Sequence, residues 1–596
     1  MEQAQHRPAA FSRLLALRKE LARLRVDGVL VPRGDAFLGE YVPPSAERLA
    51  WLTGFTGSAG LALVLRRRAV LFVDGRYTTQ AEREADPALW TLHHLIEQPP
   101  VDALKAEPNG TRVGYDPWLH TEAAIERLAA SGVEMVPLEA NPVDAVWADR
   151  PAAPNGPAEP HPLAFAGLEA TAKREAAAAE LRKAGEDAAV LADPHSVAWL
   201  LNLRGRDLAH TPLVLAQALL AADGRVELFL DPARADAALR EHLGNAVALR
   251  PPAELPAALD ALAGRTLRLD PDVTPAWFAR RLRTAGATLV AGEDPCRFPR
   301  ARKNPTEQDG TRAAHRRDAV ALARFLAWFS AAPRGDITEM AVAARLLALR
   351  SEGQHFVAES FPAIAGAGEH GAIVHYRATP DTDRTVRPDE VFLLDSGAQY
   401  RDGTTDVTRT LWTGPGAAPD LIRARYTRVL QGHLALAATR FPEGVAGPHL
   451  DAIARRALWQ AGLDYDHGTG HGVGSFLSVH EGPAGISRAA KPVALKAGMI
   501  LSDEPGYYEP GAYGIRIENL LLVRTAPEQA GQRKPFLEFE VLTLAPYERA
   551  LIEAGMLAPD ERAQVDAYHA RVLREVGPLL DGATREWLVK ACAPLG

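Results

Sequence analysis

The chain repeats an order of elements, and few folds accommodate that. The stretch FSRLLALRKELARLRVDGVLVPRGD, with ERLAWLTGFTG shortly after, sets a charged amphipathic helix, a short apolar strand and a second helical start in series. From Thr171 the sequence TAKREAAAAELRKAGEDAAVLADPHSVAWLLNLRGRD gives the same order, down to AWL followed by a Gly-bearing turn. Two copies of one α/β unit are the simplest explanation. Between them WADRPAAPNGPAEPHPLA, Trp147 to Ala164, is rich in Pro and Ala and poor in large apolar residues, as an interdomain linker is. Prolines interrupt the pattern again in DPCRFPRARKNPTEQ, before a long helical segment that starts around Thr306. A chain of 596 residues exceeds one ordinary core. The expected domains are therefore 1–150, 165–300 and 303–596.

The third region differs in character. Apolar residues recur at three- and four-residue spacing in DGTRAAHRRDAVALARFLAWFS and ITEMAVAARLLALRSEG, which predicts two helices. VFLLDSG and TTDVTRTLW, then MILSDEPGYY and YGIRIENLLLV, read as strand pairs broken by RDG and EPGAYG turns. Each pair reads as a hairpin with one acid on each arm: Asp395 and Asp406 on the first, Glu504 and Glu518 on the second. Helical patterns return in AQVDAYHARVLREVGPLL and TREWLVKACA.

Strand alternation puts Arg516 and Glu518 on one face with Leu520, and Ile515 and Ile517 on the other; Asp406, Thr408 and Thr410 share a face by the same rule. Polar groups from two hairpins can thus converge while the opposite faces bury hydrocarbon. HGTGHGVGSFLSVHEGP adds His467, His471 and His480, and its alternate glycines exclude a regular helix and allow close backbone approach. One Asp near a strand end is ordinarily a turn former. Four carboxylates in one place repel by several kcal/mol unless cations lie between them. Oxygen-rich donors with one or two imidazoles and no thiolate suit Mn²⁺ or Mg²⁺ best, with Co²⁺, Fe²⁺ or Zn²⁺ as substitutes. Two ions about 3.5 Å apart, bridged by carboxylates and a hydroxide, hold a nucleophile at neutral pH, which predicts hydrolysis.

Composition narrows the partners. A net charge of −8 leaves no electrostatic footprint for nucleic acid or an anionic membrane. The two cysteines, Cys296 and Cys592, build neither a disulfide framework nor a thiolate metal site within one chain. The N-terminal stretch MEQAQHRPAAFSRLLALRKELARL carries charges throughout, so no signal peptide is expected. The longest apolar stretch, Leu213 to Ala222, is far below the roughly 20 residues that span a bilayer. A cytoplasmic location is the expectation.

The motifs together resemble aminopeptidase P (Xaa-Pro aminopeptidase), in the long three-domain form of these M24B-like pita-bread metallopeptidases. GFTGSAGLALVL with LFVDGRYTTQAEREAD is similar to its first domain and PHSVAWLLNLRGRDLAHTP to its second. GAIVHYRATP, DSGAQYRDGTTDVTRT, GTGHGVGSFLSVHEGP, DEPGYYEPGAYGIRIEN and FLEFEVLTLAP are similar to its catalytic motifs. The resemblance implies an α/β and α+β fold: two duplicated creatinase-like α/β domains, then a pita-bread metallopeptidase catalytic domain. It implies five metal ligands, Asp395, Asp406, His471, Glu504 and Glu518, holding two Mn²⁺ per subunit, with Asp406 and Glu518 bridging. His375, His467 and His480 match the family's active-site histidines that bind no metal, and Arg516 an arginine that orients a ligand carboxylate.

The implied reaction is hydrolysis of the N-terminal Xaa-Pro bond of peptides with proline in second position. The bridging hydroxide attacks the carbonyl, His480 hydrogen-bonds the developing oxyanion, and Glu504 moves a proton to the departing proline nitrogen. A homodimer is the family expectation. The rival readings are a prolidase, which shares the fold and ligands but cleaves only dipeptides, and a non-catalytic pita-bread peptide-binding protein. The complete ligand set argues against the second.

Overall fold

The computed structural model describes the backbone of residues 2–595 and the side chains of residues 10–595; the reading of the N-terminal side chains before Ala10 as no leader lies outside the described residues. Chain contacts define two compact units. One holds the residues up to His161 with Leu168–Ala209 and Leu213–Arg297; the other holds Pro162–Gly167, His210–Pro212 and the chain from Phe298 onward.

Two six-stranded sheets make up the first unit. The first runs Thr91–His94, Ala69–Val73, Leu61–Leu65, Gly28–Pro32, Arg112–Tyr115, Glu134–Pro137. The second runs Val247–Arg250, Val226–Phe229, Gln217–Ala221, Ala188–Leu191, Thr266–Leu269, Thr288–Ala291. In each, the third strand is antiparallel to both neighbours and the remaining pairs are parallel. The repeat seen in the sequence is thus a repeat of topology. Both AWL triplets lie in short helices, Arg48–Thr53 and Pro194–Leu200, but their tryptophans differ in use. Trp51 stacks on Trp147 at 5.3 Å between centroids, whereas Trp199 lies under the ammonium of Lys173 at 4.6 Å. The turns differ too. Gly54 takes the left-handed position in the first copy (φ 83°), and Asn202 takes it in the second (φ 49°), a residue that tolerates it through its short polar side chain.

The proline-rich linker is more structured than its composition suggests. Glu159–Pro160 pairs with Leu203–Arg204, and Leu163–Ala166 forms a helical turn.

In the second unit, helix Pro305–Ala331 begins with a capping box in which the Asn304 side chain accepts from Glu307 N and the Glu307 side chain accepts from Asn304 N. Phe325 and Phe329 of this helix, with Leu346 of helix Glu339–Ser351, cover Phe392 and Leu394 of strand Val391–Ser396. Leu393 and Asp395 therefore face the other way. Strand Val391–Ser396 pairs antiparallel with Val407–Trp412, placing Asp395 opposite Thr408, while the small strands Ala398–Tyr400 and Gly403–Thr404 fold between them.

The second pair is nested and interrupted. Ile500–Asp503 pairs with Asn519–Thr525, and Gly506–Glu509 with Tyr513–Arg516. Glu504 and Glu518 both lie at the interruptions. Pro505, with no N–H to donate, marks the break on one arm. Ile515 and Ile517 enter a cluster with Tyr426, Val429 and Leu430 of helix Asp420–Ala437, so hydrocarbon fills the face opposite the acids. Helices Pro559–Val576 and Gly582–Ala591 form the C-terminal part. Among the described residues, no helix is long and apolar enough to cross a membrane.

Candidate active site

The two strand pairs are stitched together at the site. Glu518 N donates to Thr408 O at 3.1 Å, and Thr410 Oγ1 accepts from Arg516 N at 3.0 Å. These bonds hold the acid-bearing faces of both pairs against each other. Asp406, His471 and Glu518 each present a ligand atom, and these atoms all lie within 4.8 Å of one another. Glu504 joins them, with Oε1 3.5 Å from His471 Nε2, and Asp406 Oδ2 lies 3.6 Å from the same nitrogen. The fourth acid, Asp395, accepts from Arg516 Nη2 at 2.8 Å.

The glycines let backbone pass where no side chain fits. A Cβ on Gly470 would lie 2.0 Å from Ser502 O, and one on Gly472 2.1 Å from Glu481 O. Those contacts bring His471 against strand Ile500–Asp503.

Polar atoms here lack the partners that burial demands. Asp395 Oδ1 and Asp406 Oδ1 are buried and accept no hydrogen bond. Burial, then the charges of Glu518 and Asp395, push the Asp406 carboxyl well above the usual carboxylate range. Burial, then Asp395 and Glu504, do the same to Glu518. Burial raises Glu504 as well, against Arg516 and with Asp406 and Asp395. Such a cluster must hold protons or cations.

The imidazole decides which it is built for. His471 Nδ1 faces Gly472 O at 3.0 Å, and a carbonyl only accepts, so Nδ1 carries the proton. Nε2 then faces two carboxylates, those of Asp406 and Glu504. A proton on one raised carboxyl can bridge it to that nitrogen, whereas a divalent cation satisfies the imidazole and both carboxylates at once. The residues present therefore fit divalent metal.

Tyr508 and Arg516 order the surroundings. Arg516 Nη1 donates to Tyr508 Oη at 2.6 Å, which leaves the phenol proton for His467 Nε2 at 2.8 Å. His467 Nδ1–H then donates to Gly468 O at 2.8 Å. Burial pushes the Tyr508 phenol up to about 12, so it keeps that proton at neutral pH. The His467 ring lies 4.0 Å from Glu504 through Nδ1 and Oε2. His480 stands edge-on to His471 with centroids 4.3 Å apart. His375 follows Val374, whose carbonyl lies 3.3 Å from Arg516 Nη2. Asp395, Asp406, His467, His471, His480, Glu504, Arg516 and Glu518 thus lie in one neighbourhood, and His375 is next in the chain to the Val374 carbonyl that Arg516 reaches.

Thr408, which alternation placed on the Asp406 face, donates its hydroxyl to Glu518 Oε2 at 2.7 Å, whereas two supporting residues carried no sequence signal: Tyr508 and Ser502, whose hydroxyl lies 3.2 Å from Glu504 Oε1. Their strand positions in the arms that carry the acids were the only hint.

Comparison with known proteins agrees with this geometry. Residues 309–525 match the description "Metallopeptidase family M24" and 535–595 its C-terminal region, while 13–146 and 149–307 each match a "Creatinase/Prolidase N-terminal domain". The fold and site define an M24-type metallopeptidase with two creatinase-like domains. An aminopeptidase P2 of Arabidopsis thaliana is 39% identical, over 96% of this chain and 86% of its own. A probable Xaa-Pro aminopeptidase P of Coprinopsis cinerea is 40% identical over 98% of both. The X-prolyl aminopeptidase of Caenorhabditis elegans, a cytosolic enzyme with a di-nuclear active site, superposes with a TM-score of 0.93 at 34% identity, over 98% of this chain and 99% of its own. The chain belongs to the aminopeptidase P (Xaa-Pro aminopeptidase) family.

Proposed function

We propose that the chain is a metal-dependent aminopeptidase that removes the N-terminal residue from peptides with proline in second position. The observation that carries this is the convergence of Asp395, Asp406, His471, Glu504 and Glu518, with orphaned carboxylate oxygens on Asp395 and Asp406, in a chain related to Xaa-Pro aminopeptidases over nearly its whole length. Those five residues would hold two divalent metal ions, with Asp406 and Glu518 shared between both. When bound, the ions supply a hydroxide nucleophile at neutral pH and polarise the scissile carbonyl. Manganese is our assignment from the donors, four carboxylates and one imidazole without thiolate, with Co²⁺ or Zn²⁺ as substitutes.

The chain's own side chains do the remaining work. Arg516 fixes the Asp395 carboxylate, and through Tyr508 it sets the tautomer of His467. His480 hydrogen-bonds the oxyanion as it develops. Glu504 takes the hydroxide's proton and passes it to the departing proline nitrogen, because an amide anion is a very poor leaving group. His375 and His467 line the site without binding metal. The substrate bond is a tertiary amide with no N–H, so recognition falls to the ring and the free amine.

The same reading takes 1–150, 165–300 and 303–596 as the domains, with a cytoplasmic homodimer as the working form. A prolidase shares this chemistry. The dipeptidase PepE of Mycobacterium ulcerans, at 27% identity and a TM-score of 0.51, covers 98% of its own length but only 65% of this chain, which favours the longer aminopeptidase. The test is product analysis of an Xaa-Pro-Xaa peptide beside an Xaa-Pro dipeptide, with chelated protein before and after Mn²⁺. Cleavage of the longer peptide that needs Mn²⁺ supports the reading; cleavage of the dipeptide alone makes the protein a prolidase.

A further inference from the structure

The chain between His471 and His480 forms a closed loop. Glu481 N donates to Gly472 O at 2.8 Å and Gly474 N to Ser478 O at 2.9 Å. The base is anchored by charge, since the buried Glu481 carboxylate contacts Lys303 and Arg300. Near the tip, Phe476 holds the left-handed conformation (φ 50°), which a bulky residue adopts only when its surroundings impose it.

One side chain reaches the next residue's carbonyl. Gln399, 1% exposed, stands on strand Ala398–Tyr400 between Asp395 and Asp406. Its Nε2 donates to Leu477 O at 2.7 Å and to His210 O at 3.0 Å, while its Oε1 accepts from Thr404 Oγ1 at 2.7 Å. Both protons of the nitrogen are used, and the Thr404 hydroxyl fixes which way the amide faces. Only an amide side chain offers two donors and an acceptor in one plane. A glutamate would set oxygen against two carbonyls, and an apolar residue would leave both carbonyls unsatisfied.

We propose that Gln399 is a positioning residue for the reaction: it ties the tip of the His471–His480 loop to the Asp395/Asp406 strand pair and thereby sets where His480 stands. The inference rests on the reading of His480 as the oxyanion donor. Gln399 reaches no reacting atom; it acts through Leu477, three residues before His480.

The experiment is a double-mutant cycle between Gln399→Glu and His480→Ala, with kcat, KM and bound metal measured on each protein. Gln399→Glu alone should lower kcat about 10- to 100-fold, the usual cost of losing an outer partner of an active-site group. KM should move less than about threefold, and bound metal should match the unaltered protein. On the His480→Ala background the same substitution should cost almost nothing further. Thr404→Val, which keeps shape but frees the amide to turn, should lower kcat a few-fold with the same dependence on His480, and it carries the test should Gln399→Glu not fold. Losses that multiply across the cycle, or metal loss in Thr404→Val, overturn the inference while Xaa-Pro cleavage by the unaltered protein stands. Should the unaltered protein cleave no Xaa-Pro bond, the underlying reading falls and this inference with it.

Discussion

In the N-terminal unit Asp207 is fully buried against Arg234, which reaches both carboxylate oxygens at 2.6 and 2.7 Å, and Leu215 N donates to one of them at 2.8 Å. Glu186 there accepts from Arg268 at 2.7 Å. In the catalytic unit Asp395 Oδ1 and Asp406 Oδ1 are buried and have no donor, and Arg516, which pairs with Asp395 and whose charge bears on Glu504 and Glu518, does not reach both oxygens of any of them. Elsewhere in that unit Arg350 does pair with both oxygens of the buried Asp318, at 2.8 and 3.0 Å. The contrast is therefore local. A buried acid with its counter-charge in place is scaffold; a cluster of acids without one is a site that expects a cation.

The sharpest way to break the contrast is to remove a shared ligand. Asp406→Ala or Glu518→Ala should reduce turnover to background and lower bound metal. A variant that kept both ions and near-normal turnover would show that the shared ligands are misassigned. Next in size, His480→Ala should lower kcat about 10²- to 10³-fold with metal content unchanged. His471→Ala should lose metal, and excess Mn²⁺ should recover part of its activity. Metal content measured beside turnover separates the two, and a reversed pattern would exchange their roles.

A smaller effect follows from pH. The folded-state pKa values of Asp406, Glu504 and Glu518 are raised, so these groups favour the fold while protonated. That contribution is complete below the unfolded carboxyl range of about 4 and is lost as pH rises through the raised values. Metal-free protein should accordingly lose stability from these groups as pH rises above the ordinary carboxyl range. The Tm gain on adding Mn²⁺ should widen over the same range, as paired melting curves would record. A gain that is flat or shrinks as pH rises would mean the cluster is not what the cation neutralises. The smallest effect on turnover belongs to the N-terminal pair. Arg234→Met strands Asp207 and should cost about 3–5 kcal/mol of stability, yet kcat per folded molecule should stay within about twofold, consistent with a scaffold role.

The acids themselves were legible in the sequence through their conjunction: one acid at a strand end is ordinarily a turn former, but turns do not account for two acid-bearing strand pairs flanking a stretch of histidines and alternate glycines. The repeated α/β unit was legible because helix, strand and AWL recur in order. The interruptions of the second strand pair were only half visible: Pro505 marks one arm, whereas the break before Glu518 depends on its bond to Thr408, 110 residues away. Gln399, Tyr508 and the Lys303–Glu481 contact were invisible. Each works through partners distant in sequence, 178 residues in the last case, and no local periodicity encodes them. The linker misled in the other direction, since proline content does not reveal that Glu159–Pro160 finds a strand to pair with.

The central claim is that the unpaired carboxylates are completed by two divalent cations. Calorimetric titration of Mn²⁺ into chelator-stripped protein near pH 7, in buffers of different ionisation enthalpy, tests it most directly. The account predicts two ions bound per chain with protons released on binding, because the raised carboxyls must ionise to serve as ligands. One ion or none per chain, or binding without proton release, would contradict it.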